Sequence, residues 1–185
     1  EDRQEKIRGR VVAKGLVEED LLDEAVPHDA RHAQHRVGAE CLGVEEVVVD
    51  AAGNVYVSGG TLSNNFPTTV GAHDRTYNGG TAGPYDVPGD VFVTKLSADL
   101  SSVTASTYFG GSAFDYSRAI VTDGTTVHIT GATASSGLAT PGAFDETRTS
   151  GGDWGGIDAY VASFDGTTLS RIGTTYLGGN GQDYC

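Results

Sequence analysis

The chain has 185 residues, 27 of them Gly, with no Met and one Trp, and its 25 acidic against 12 basic side chains leave a formal net charge of −13. Such an excess of negative charge disfavours nucleic acid and anionic membrane surfaces, whose phosphates it would repel. No apolar run approaches the ~20 residues of a membrane span, and the glycine content favours tight turns and short strands over long helices.

Residues 1–46 differ from the rest, holding 12 acidic and 7 basic side chains where residues 47–185 hold 13 and 5. Leu16-Val17, Leu21-Leu22 and Ala25-Val26 recur at helical spacing among acidic residues, and Pro27 stops the run, which predicts one amphipathic helix. Residues 1–15 fit a helix, a strand or a disordered leader equally well. His28, His32 and His35 follow at spacings that would align three imidazoles on a helix face, a metal-binding pattern. No Cys or carboxylate completes the set at regular spacing, so a solvated connector is the reading preferred here. Cys41 and Cys185 form no C-x-x-C motif and fall at similar phases two units apart, too distant for a disulfide to be expected.

From Val47 the pattern turns periodic. Val47–Asp50, a turn at Ala51–Asn54 and Val55–Gly59 read as a hairpin, which returns as Ile120–Asp123, Gly124–Thr126 and Val127–Gly131. A long polar excursion follows each hairpin, through Pro67 and Asp74 in the first copy and Pro141 and Asp145 in the second. Strand then resumes at Asp90–Leu96 and Asp158–Phe164, and a turn leads into a fourth run ending in Thr107-Tyr108-Phe109-Gly110-Gly111 or Thr175-Tyr176-Leu177-Gly178-Gly179. Asp115-Tyr116 and Asp183-Tyr184 follow these endings at one spacing, 68 residues apart. Four strands in meander order per unit of roughly 70 residues is the signature of a propeller blade. The expected fold is therefore all-β, with two four-stranded antiparallel blades at 47–117 and 118–185 behind a charged leader at 1–46, partly helical or disordered.

Two blades cannot close a ring of about 4–8, and a repeat unit needs neighbours on both sides. Further blades are expected as partners, in the same or other chains. A piece of a longer propeller is preferred to a ring of several copies, because Asp183-Tyr184-Cys185 opens a unit that does not continue.

Val48–Gly59, Phe66-Pro67-Thr68-Thr69, Gly71-Ala72, Asp90–Leu96 and Ser106–Gly111, in that order, resemble the bacterial and archaeal β-propeller repeat called SBBP. The resemblance covers about residues 47–185. It implies a secreted or surface-exposed propeller within a larger protein, and it carries no catalytic residue over. The second copy departs from it at the shortened turn Asp123–Thr126 and at Leu138-Ala139, where an aromatic is usual before Thr140-Pro141.

Four Asp pairs recur in register: Asp50/Asp123, Asp74/Asp145, Asp90/Asp158 and Asp115/Asp183. Asp115 and Asp183, in Gly-rich corners, are the candidates for Ca²⁺, although capping of turns is the simpler role for such residues. Trp154, flanked by Asp153 and Asp158, has the composition of a glycan platform or of a loop anchor. His128 replaces Tyr56 on its strand, which predicts a packing role, and Glu146 has no partner acid. The expectation is a noncatalytic scaffold or adhesion module that meets glycans or surface proteins; the alternative is a lectin-like propeller, Ca²⁺-assisted and completed by oligomerisation.

Overall fold

The structure is a computed structural model that describes residues 44–79, 89–149 and 156–183. The helix expected at 16–26, the His28/His32/His35 cluster, Cys41, Cys185, Asp153 and Trp154 lie outside these residues.

Eight strands form two sheets: β1 (Val44–Val49), β2 (Val55–Thr61), β3 (Asp90–Leu96) and β4 (Val103–Phe109), then β5 (Asp115–Thr122), β6 (Thr126–Thr133), β7 (Asp158–Asp165) and β8 (Arg171–Leu177). Each sheet is antiparallel with its strands in chain order, and the described residues contain no helix. The turns follow from the aspartates. Asp50 Oδ1 accepts from the amides of Ala52 and Asn54, and Asp123 and Asp165 accept likewise from Thr125 and Thr167.

Two strands begin before the sequence pattern does. β1 starts at Val44 and β5 at Asp115, with register shifts at Val44/Glu46 and Ser117/Ala119. Each bulge sets one charged residue, Glu45 or Arg118, outside the pairing, which breaks the period-2 alternation on which strand recognition depends. The fourth strand of the second unit begins at Arg171.

The sheets stack face to face around one core. From the first come Tyr56, Val91, Val93 and Phe109; from the second come Ile120, Val127, Ile129, Tyr160 and Phe164, all buried. Phe109 lies 5.0 Å from the Tyr160 ring and meets Phe164 edge-on at 5.7 Å. Polar groups fix the stacking at its margins. Tyr56 Oη and Lys95 Nζ both donate to Gly166 O (2.9 and 2.8 Å), Ser117 and Ser58 share a hydroxyl bond of 2.8 Å, and the Ile120 amide donates to Glu46 Oε2 at 2.7 Å.

The excursions run along the outer edges. The Thr69 amide donates to Ser106 O and the Tyr108 amide to Asp74 O; in the second unit Thr140 donates to Thr174 O and Tyr176 to Asp145 O. Each excursion thereby covers the open edges of β4 and β8 that would otherwise invite pairing. Two buried tyrosines tie the excursions down. Tyr108 Oη takes a bond from the Phe66 amide and gives one to Ser63 O, and Tyr176 Oη does the same with Leu138 and Ser135. Tyr176→Phe strands a buried amide and carbonyl, and is expected to cost about 1–3 kcal/mol in urea unfolding, with faster hydrogen exchange confined to residues 135–149.

Candidate functional site

The chain leaves β4 and β8 through paired glycines, and a carboxylate pair closes over each corner. At the first, Asp90 opens β3 and Asp115 opens β5, both fully buried. A side chain at Gly110 would put its first carbon 2.7 Å from Asp115 Oδ2 and 3.1 Å from Asp90 Oδ1, so only glycine admits this approach. Asp115 Oδ2 accepts from the Gly111 amide and the Ser135 hydroxyl, each at 2.8 Å, while Oδ1 takes a short bond from Thr133. Asp90 Oδ2 accepts from the Asn78 amide at 2.7 Å, and its Oδ1 has no hydrogen-bond partner among the described residues.

The second corner repeats the first with Asp158 and Asp183. Asp158 is fully buried, its Oδ2 accepts from the Thr149 amide at 2.8 Å, and its Oδ1 likewise has no partner among the described residues. Asp183 Oδ2 accepts from the Gly179 amide at 2.7 Å, as Asp115 does from Gly111. Asp183 is half-exposed, however, whereas β6 and the loop after it cover Asp115 with Thr133 and Ser135.

Burial pushes Asp115 up to about 7 against the opposing donors Thr133, Gly111 and Ser135, and the nearby Asp90 charge adds to the rise. Asp90 is raised to about 6 by burial first and by the Asp74 charge besides; burial raises Asp158 too. These carboxyls therefore hold protons that the unfolded chain releases near 3.8, and their contribution to stability falls as pH rises from about 4 to 7, against an opposite contribution from His73, which burial holds below its usual value. Asp115→Asn is expected to flatten this slope, which approaches about 1.4 kcal/mol per pH unit for one proton. The check is urea midpoints measured in chelator between pH 4 and 8. Asp99 and Asp123, held low by their turn hydrogen bonds, act below this window and leave the comparison intact.

The expected site residues are thus dispersed. Asp115 and Asp183 occupy separate corners, and no group of three or more His, Cys, Asp or Glu converges among the described residues. Asp115 opens a strand, which corrects its reading as a loop residue. Asp158 is buried, bonded to the Thr149 amide, and Trp154 and Asp153 lie outside the described residues. Glu146 Oε1 accepts from the Gly142 amide in its own loop. His128 is also a correction: it is exposed and bonded to Ser163 at 2.7 Å, because the face of β6 that carries it is open where the corresponding face of β2 is covered. Sequence reading missed Thr133 and Ser135, the hydroxyls that make Asp115's burial tolerable; their only signal was their place at the end of the strand that pairs with Asp115.

No protein-family model matches the chain, and no curated protein matches it.

Proposed function

We propose that the chain is a noncatalytic β-propeller scaffold or adhesion module, secreted or displayed at the cell surface, whose two sheets are successive blades. One observation carries the reading: two meanders of the same strand order stack face to face, with β5 lying against both β1 and β2. Repetition extends to the joints, since the tyrosine clasps, the edge-covering excursions and the glycine-to-aspartate bond at each corner recur. Half-exposed Asp183 stands after its paired glycines where Asp115 stands after Gly110 and Gly111. The resemblance to SBBP repeats supports the same architecture and the extracytoplasmic setting. A repeat with buried, loop-tying carboxylates is suited to holding loops in place.

Electron microscopy of the purified protein tests this directly. Radial vanes around a central axis are the expected image; a particle of two layers, or a linear stack, overturns it. Glycan-array binding that Trp154→Ala abolishes would select the lectin-like alternative over a plain scaffold.

A further inference from the structure

The interface between the two sheets is heterologous: one face of the first sheet meets the opposite face of the second. Register makes this explicit. Tyr56 pairs with Val48 and Lys95, and Phe109 with Val91, on the face that touches the second sheet. Ile120 pairs with Ile129, and Ile129 with Ala162, on the face that touches the first.

Carrying the repeat forward locates two open faces. The positions of Tyr56 and Phe109, both fully buried, are taken in the second sheet by exposed His128 and by Leu177, which is 43% exposed; Val121, at the place of Val48, is 59% exposed. An open groove of about 340 Å³ lies against β5, β6 and β7, lined by Ala119, Val121, His128, Thr130 and Val161 and bordered by Glu46 of β1. At the other end of the stack the counterparts of buried Ile120, Val127, Ile129 and Phe164 are Val47, Val55, Val57 and Leu96, all half-buried. Nearby Val49 and Val103 are 52% and 39% exposed. The described residues therefore present a knob-bearing face and a receiving face of the kinds already joined between the two sheets.

We infer that the open face of β5–β8, around Val121, His128 and Leu177, docks the outer face of β1–β4 of a second copy of this chain, by the same contact that joins the two sheets within one copy. This rests on the blade reading for its ring geometry, but not for the contact itself. A heterologous contact that repeats makes a ring if its rotation closes and a filament if it does not. His128 and Ser163 stand where Tyr56 and Lys95 clamp Gly166, so the contact between copies lacks two of the polar anchors of the internal one. It is accordingly weaker and concentration-dependent.

Size-exclusion chromatography with light scattering on the full chain, from micromolar to hundreds of micromolar, tests the inference. The expected result is a mass that rises with concentration to a whole multiple of the 19.1 kDa chain. Val121→Arg and, separately, Leu177→Arg are expected to hold it at one copy with an unchanged circular dichroism spectrum, since both positions are exposed within one chain. A wild type that stays monomeric throughout overturns the inference, as does an assembly whose mass neither arginine changes. Filaments abolished by Val121→Arg would sustain the contact while defeating the closed propeller, so the two readings fail separately.

Discussion

Phe109→Ala is expected to lower the unfolding free energy by about 3–5 kcal/mol, the range for truncating a fully buried aromatic. Phe109 is the last residue of β4, and its ring lies against Tyr160 and Phe164 of the other sheet, with His73 at 6.1 Å closing the remaining side. The site cannot collapse around the loss, because the surrounding groups are tied elsewhere: the Tyr160 hydroxyl donates to Tyr116 O and the His73 amide to Leu169 O. The residual cavity therefore persists and its cost is added to the lost transfer energy. Urea unfolding followed by tyrosine fluorescence is the measurement. A change below about 1 kcal/mol would mean that the two sheets do not share a core. Leu177→Ala is the internal control: it occupies the same place in the second unit, yet it is expected to alter self-association more than the stability of the dilute monomer.

That contrast also shows where the sequence was informative. The strand order and all eight strands were legible, since β-branched runs alternate with Asp- and Gly-rich turns and the two units can be aligned on Thr-Tyr-x-Gly-Gly. Which face of each strand is buried was not legible, because strands covered on both sides are apolar throughout and lose the alternation that marks a buried face. Tyr56 and His128 illustrate the difficulty: they occupy one position in two copies, one fully buried and one exposed, and only the presence of a neighbouring sheet separates them. The carboxylate pairs were visible as repeating aspartates. The burial of Asp90, Asp115 and Asp158 was hidden, because it depends on Gly110 and Gly178 letting the backbone pass close against these carboxylates. The bulges at Glu45 and Arg118 were missed for a local reason: a charged residue at a strand start reads as loop, yet the two bulged strands meet, since Glu46 beside the first accepts from the Ile120 amide two residues past the second.

Gly131→Ala is expected to be strongly destabilising. Gly131 is a buried residue of β6, the second strand of its sheet, paired with Ser117 on one side and Tyr160 on the other. An added carbon would lie 1.9 Å from Tyr116 O, with Tyr160 Oη at 2.9 Å. The obstacle is backbone, so no side chain can rotate away. Relief requires the Tyr116 carbonyl to move, and that carbonyl accepts from Tyr160 Oη next to the Ser117/Ala119 bulge that sets the register of β5. Overpacking costs about 1–3 kcal/mol where neighbours can shift; with backbone in the way, a loss of at least about 3 kcal/mol is expected, or roughly 6–12 °C in Tm for a chain of this size. Gly181→Ala, which meets nothing within 4 Å, is expected to stay within about 0.5 kcal/mol of wild type. Thermal unfolding of the two variants side by side decides the matter: equal melting temperatures would show that β5 and β6 do not approach as closely as Tyr116 and Gly131 do here, and the bulged pairing that seats the second sheet on the first would have to be redrawn.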